Sequence, residues 1–305
     1  MMTDFGGVWP AMLTPLDGAG EPNHEELEKL IELFIEQGMN GLYVCGSTGQ
    51  GPLLTVEQRC AVVNRVIKTT AGRIPVIVHV GAIATEDAIA MARHAAKLGA
   101  NAVSSVAPIY YPVTLDETFE HYRQIGASTD LPLFVYHLNR FNTHSIAPEQ
   151  YVKRLLEIPN IAGIKYTGHD LYELGLIHSY AKGRLQVFSG SDELVCQAAV
   201  SGACGAIGKF YNLWGPTCKA VRQAFINGDY ALGQRFMLAF QVVIDRILRS
   251  GNQTSFLRSA MRTKYGIEIG LYKSPLGTVA QPWADAEIEK IIASMDDIPK
   301  SVCKQ

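Results

Sequence analysis

The sequence predicts a (β/α)8 barrel with a C-terminal helical extension, and three observations carry that prediction. Short β-branched or apolar runs alternate eight times with longer runs of helical periodicity, at a repeat of roughly 25–30 residues, the size of a βα unit. The strand-like runs are continuously apolar, as strands buried on both faces of a parallel sheet must be. The chain of 305 residues has room for such a barrel, which takes about 250. The rival architecture, an open doubly wound sheet, calls for a Gly-rich dinucleotide turn after the first strand. Residues 14–22, TPLDGAGEP, contain no GxGxxG.

The first strand run, 7–13 (GVWPAML), leads to a helix over 23–38, where Leu27, Leu30, Ile31, Phe34 and Ile35 recur at helical spacing and Gly38 can end it. The second run, 41–45, leads to a helix over 55–72, with Thr55 as N-cap and Gln58 completing a capping box. Runs 75–80 and 101–108 precede helices over 85–100 and near 116–127. Runs 132–136 and 161–165 precede helices beginning near Pro148 and spanning 170–182. Run 185–190 leads to a helix over 192–203, and GAIG, 205–208, closes the series. From about 214 onward the chain reads as helical, in 217–229, 230–251 and 285–295. This gives residues 1–213 as barrel strands and helices and 214–305 as the last barrel helix plus extension, one structural domain overall.

Hydrophobic residues make up 48% of the chain and charged ones only 18%, below the roughly one quarter usual in soluble domains. The surplus of apolar surface points to a large core or to subunit contacts. A net charge of -2 gives no electrostatic footprint for nucleic acid or an anionic membrane. No apolar run approaches the roughly 18 residues of a membrane span, and MMTDFGGVWP does not read as a signal peptide. The cysteines Cys45, Cys60, Cys196, Cys204, Cys218 and Cys303 form no C-x-x-C and read as free, reduced thiols of a cytoplasmic protein.

Chemistry in a barrel gathers at the C-terminal strand ends. Strand six ends at Lys165, after apolar residues and a glycine. An amine in that low-dielectric mouth loses its proton more readily and can attack a ketone to form a Schiff base. The other reading of such a lysine is a structural ion pair with a carboxylate. Strand five ends at Tyr136, a phenol suited to moving a proton or simply to packing. Strand two runs into Gly46-Ser47-Thr48-Gly49-Gln50-Gly51, a turn whose amides and hydroxyls can cradle a carboxylate or that serves only as a turn. Strand four runs into Tyr110-Tyr111-Pro112, a loop pair that could equally pack an interface. Taken together, an amine, a carboxylate cradle and two phenols suit reversible aldol chemistry on an α-keto acid.

These residues resemble the N-acetylneuraminate lyase and dihydrodipicolinate synthase family of class I aldolases, from about Gly7 to Leu276. The resemblance rests on Gly46-Ser47-Thr48-Gly49 and on Lys165 in AGIKYTG, in that order. It implies a TIM barrel, usually a homotetramer, working on a small keto acid through a pyruvate-lysine imine without metal or other cofactor. By resemblance Lys165 forms the imine and Tyr136 relays protons. Ser47 and Thr48 bind the pyruvate carboxylate and orient Tyr136, and Tyr110 reaches a neighbouring subunit's site. Gly190, Asp192 and Glu193 match the lyase G-x-D-E, whose acids hold a sugar's hydroxylated tail, and Thr167 matches the lyase threonine after the lysine. The implied reaction is cleavage of N-acetylneuraminate to N-acetylmannosamine and pyruvate. A dihydrodipicolinate synthase-like or 2-keto-3-deoxy sugar acid reaction, and a non-catalytic keto-acid-binding barrel, are the alternatives. The synthase branch has an arginine five residues after the relay tyrosine; here that position is Phe141, beside Arg140. The chain departs from the family at Gln50, in place of an acid, and at Asn139, in place of a proline. It departs again at Lys209, in place of a serine that touches the sugar. The histidines, His79, His94, His121, His144, His169 and His178 among them, form no H-x-x-x-H or similar metal motif.

Overall fold

The computed structural model describes residues 4–138, 146–277 and 281–298. Eight parallel strands form one sheet: β1 (Gly7–Pro10), β2 (Leu42–Val44), β3 (Val76–His79), β4 (Ala102–Val106), β5 (Leu133–Leu138), β6 (Ile161–Thr167), β7 (Gln186–Ser189) and β8 (Gly205–Gly208). From β2 to β8 each strand hydrogen-bonds the next, and β1 pairs with β8 in the register Gly7↔Gly205 to Pro10↔Gly208. The remaining seam, between β1 and β2, is bridged by Ala11 opposite Tyr43 and by the Met12 amide donating to the Tyr43 carbonyl at 2.9 Å. The predicted barrel is therefore the fold.

Between the strands run α1 (His24–Glu36), α2 (Val56–Thr70), α3 (Thr85–Leu98), α4 (Leu115–Ala127), α5 (Pro148–Leu155), α6 (Leu171–Ala181) and α7 (Val195–Val200). After β8 come α8 (Tyr211–Ile226), α9 (Tyr230–Arg249), α10 (Gln253–Tyr265) and α11 (Asp285–Asp296). The Thr55 capping box at the start of α2 is present in both directions, Thr55 accepting from the Gln58 amide and Gln58 from the Thr55 amide. Strand residues alternate between two cores. Inward-facing Phe5, Trp9, Tyr43, Phe134, Phe188 and Ile207 fill the barrel, while Val44, Val135, Ile164 and Val187 face the helices. Trp9 fits inside because Gly41 faces it; a Cβ there would lie 2.1 Å from the indole.

Three boundaries differ from the sequence reading. The stretch expected as a helix over 192–203 opens with a 3-10 turn, Asp192–Leu194, and becomes α-helical only at Val195. There the Asp192 carboxylate is held by the β8 end rather than capping a helix. Helix α8 starts at Tyr211, not 217; Trp214 has non-helical angles (φ -125, ψ 23) and Pro216 follows, so the chain bends where the periodicity breaks. The 213/214 division thus falls inside α8. Helix α10 was not singled out, since its buried Phe256, Leu257, Ala260 and Met261 are interleaved with Ser, Arg, Thr and Lys.

Candidate active site

Beyond a β-bulge near Leu133 and Phe134, the chain alternates strictly along β6. Lys165 and Thr167 face the barrel mouth, while Ile164 and Tyr166 pack outward. Tyr136 on β5 stands in register with Lys165. The Lys165 Nζ lies 4.1 Å from the centre of the Tyr136 ring and 4.3 Å from that of Tyr43. Lys165 is only 4% exposed, and burial pushes its ammonium below the ordinary range, against the opposing pull of Tyr136 and Asp192. Among the described residues no carboxylate makes an ion pair with it. The structural ion pair weighed for this lysine is therefore not what these residues build.

Beneath the amine lies an aromatic floor. The rings of Tyr43, His79 and Tyr136 stand 6.0 to 6.4 Å apart, and Tyr136 meets the other two edge to face. The Tyr43 hydroxyl shares a 3.0 Å hydrogen bond with Ser104. Buried Arg59 donates to the carbonyls of His79 (2.5 Å) and Gly81 (2.9 Å), locking the end of β3. His79 is pushed well below its ordinary range, by burial first and then by Arg59 and Lys165, so its ring is neutral. Sequence reasoning passed over His79 and Tyr43 as site residues. The available signal was position: His79 is the last residue of β3.

Ser47 and Thr48 line the same cavity, in the turn after β2. Cys45 and Gln50 both take φ 59, and the Gly51 amide donates to the Gly46 carbonyl at 3.0 Å, so the turn folds tightly on itself. Gln50 is buried, and its Oε1 accepts from the Lys273 amide at 2.7 Å. The amide thus does an acceptor's work there without placing a charge in the interior.

The cavity, about 620 Å³, extends from this floor to a polar wall. A Cβ on Gly190 would lie 1.8 Å from Thr167 Oγ1, so only glycine lets that hydroxyl stand there. Thr167 Oγ1 is buried and has no hydrogen-bond partner among the described residues. The Asp192 carboxylate accepts from the amides of Lys209 (3.1 Å) and Phe210 (2.9 Å). Burial, then Glu193, raises its pKa to about 7. Glu193 pairs with His169 Nε2 at 2.7 Å. The Lys209 Nζ donates to Gln253 Oε1 on α10 at 2.6 Å. Ile244 and Leu248 of α9 complete the wall. Sequence reasoning missed them, His169 and Gln253, because it looked for the site at strand ends and in the turns that follow them.

The structure therefore brings Lys165, Tyr136, Ser47, Thr48, Thr167, Gly190, Asp192, Glu193 and Lys209 to one cavity. It leaves Tyr110 apart: 73% exposed, edge to face with Tyr111 at 5.1 Å, and outside the lining of its own chain's cavity. Asn139, Arg140 and Phe141 lie outside the described residues.

The TIM barrel, with a buried lysine at the end of β6 and a phenol beside it, and the relatives below make this a class I aldolase, a carbon–carbon lyase. More particularly, the chain belongs to the Dihydrodipicolinate synthetase family, whose model matches residues 4–294. It is 32% identical to the N-acetylneuraminate lyase of Enterobacter sp. (strain 638), over 93% of this chain and 95% of that protein. It is 34% identical to the N-acetylneuraminate lyase of Citrobacter koseri, over 82% and 84%. The native N-acetylneuraminate lyase of Aliivibrio salmonicida superposes at TM-score 0.86 with 27% identity, covering 97% and 98% of the two chains. Ruminococcus gnavus sialic acid aldolase reaches 0.90 over 98% and 99%, and at 23% identity it speaks for the fold alone.

Proposed function

We propose that the protein cleaves N-acetylneuraminate, or a close sialic-acid-type keto acid, to an N-acylated aldose and pyruvate, with Lys165 as nucleophile. The observation that carries this reading is the buried Lys165 amine against Tyr136, with Ser47 and Thr48 across the same cavity. The neutral amine attacks the C2 ketone and water leaves, giving an iminium. Tyr136 takes the proton of the C4 hydroxyl as the C3–C4 bond breaks, and the electron pair passes into the iminium. The aldehyde departs, the resulting enamine gains a proton at C3, and hydrolysis returns pyruvate and the free lysine. Ser47 and Thr48 hold the pyruvate carboxylate and orient Tyr136. Thr167, Gly190, Asp192 and Glu193 form the tail subsite. The reading includes a cytoplasmic homotetramer in which exposed Tyr110 supports the relay across a subunit contact.

Borohydride reduction with pyruvate, read by intact mass, tests the chemistry. A single pyruvate adduct, mapped to Lys165, is the expected result. No adduct would favour a barrel that only binds keto acids. A panel of keto acids assayed for pyruvate release then tests the substrate.

A further inference from the structure

At the opposite end of the barrel from Lys165, a second cavity of about 360 Å³ opens between helix α8 and the N-terminal ends of β1 and β2. Gly7 and Val8 open β1, Gly38 and Asn40 precede β2, and Lys219 and Arg222 line the cavity from α8. Three residues apart on one helix, the lysine and the arginine share a face. Among the described residues no aspartate or glutamate lines this cavity. Arg222 is only 8% exposed. Its Nη2 donates to the Ala203 carbonyl at 2.8 Å, and its Nε is buried with no hydrogen-bond partner among the described residues. The groups that act on its charge are Cys204, Tyr211 and Cys196. Burial raises the two thiols to about 12 and about 11 and raises the phenol well above its ordinary range, so all three are neutral. Asp4 acts on Cys204, but its carboxylate accepts from the Gly6 amide at 2.8 Å and pairs with neither cation. The Lys219 Nζ donates to the Gly38 carbonyl at 2.5 Å. Both cations are therefore fixed by neutral carbonyls. A guanidinium is costly to bury without a counter-charge, and one carbonyl uses only part of its donor fork. Asn40 adds donors of its own, since its Oδ1 is taken by the Val8 amide at 3.0 Å.

We propose that this cavity binds a small oxyanion, a phosphate or a carboxylate, between Arg222 and Lys219, at a site separate from the one at the barrel mouth. Such a ligand supplies the charge that the buried guanidinium lacks, and charge-assisted bonds to oxyanions are the strongest that these two side chains make. The inference goes beyond the aldolase reading and does not depend on it, because none of its residues lines the mouth.

Equilibrium dialysis of the wild-type chain at constant ionic strength, against labelled inorganic phosphate and separately against labelled malonate, tests the proposal. The expected result is one anion bound per chain in at least one arm, and the two arms decide between phosphate and carboxylate. Lys219→Met should weaken that binding by about 10- to 150-fold, the range of one lost charge-assisted hydrogen bond. Lys219→Arg should keep most of it. Arg222→Gln should remove it, and where that variant fails to fold, partly exposed Lys219 carries the decision. Borohydride trapping with pyruvate should be unchanged in Lys219→Met, because the two cavities lie at opposite ends of the barrel. No binding of either anion at about 10 mM, where a site of millimolar Kd is nearly filled, overturns the inference and leaves Arg222 as a clamp between α8 and the segment before β8. Binding that a folded Lys219→Met or Arg222→Gln variant leaves unchanged also overturns it, and so does a loss of trapping that matches the loss of binding, which would place the anion at the mouth.

Discussion

The floor and the far wall of the cavity are built on different physical terms. The floor is dry and over-determined: Lys165 is buried against two rings, a third ring supports them, and Arg59 pins the strand beneath. The wall is polar, with carboxylates, amides, an imidazole and the Lys209 ammonium on loops and on helices of the extension. Chemistry that needs a neutral amine requires desolvation, which the floor supplies by burial. Recognition of a tail needs a matching set of donors and acceptors rather than a dry surrounding. The floor therefore speaks for the reaction and the wall for the substrate.

The sharpest way to break this division is at the amine. Lys165→Ala should abolish turnover and pyruvate trapping while the thermal transition is kept, because the trimmed side chain borders a cavity that already exists and the change also removes a desolvated amine. Trapping that persists in the variant would move the nucleophile elsewhere. Next comes Tyr136→Phe, expected to lower turnover by roughly two to four orders of magnitude while leaving slow imine formation detectable by mass. A near wild-type rate would reduce Tyr136 to packing.

On the wall the effects should be smaller and confined to long substrates. Asp192→Ala should lower kcat/KM for a sialic-acid-type keto acid by roughly 10- to 150-fold, the range of a lost charge-assisted hydrogen bond. Its effect on pyruvate trapping should be much weaker; equal damage to both would erase the boundary between floor and wall. Lys209→Ser asks whether the lysine obstructs a neutral sugar. A gain in N-acetylneuraminate cleavage would show obstruction, and absence of that cleavage in both wild type and variant would remove the sialic acid assignment.

The last effect falls on stability and leaves turnover aside. Folded Asp192 keeps its proton up to about pH 7, whereas an unfolded aspartate loses it near pH 4. Between those values the folded chain binds more protons, so this group's contribution to stability falls as pH rises from about 4 to about 7, by at most about 1.4 kcal/mol per pH unit. Asp192→Asn should flatten that slope in denaturant titrations at several pH values; an unchanged slope would mean that Asp192 ionises normally.

Much of this division was legible from residue order. Continuous apolar runs gave all eight strands, because a strand covered on both sides has no polar face to disguise it. The residues ending β5 and β6, and the turn after β2, each had a plain structural reading on its own, and only their joint occurrence at neighbouring strand ends made the site legible. Tyr43 and His79 were not legible, since an aromatic inside an apolar run looks like core, and they are core as well as floor. Gln253, Ile244 and Leu248 were invisible because nothing in the order of βα units says which face of an added helix closes the mouth. The bend at Trp214 hid the start of α8, since propensity reads Pro216 as a stop, while packing carries the helix across it.

The bond from the Lys273 amide to Gln50 has a consequence for the order in which the protein matures. The last barrel strand is complete at Gly208, so residue 273 is synthesised well after every strand of the sheet. Until then the loop bearing Ser47 and Thr48 lacks one of its moorings. The turn should therefore be the last part of the sheet's mouth to be fixed during synthesis. Amide hydrogen exchange on stalled chains would show this as slow exchange in the strands beside fast exchange at residues 46–51, and equal protection of both would contradict it.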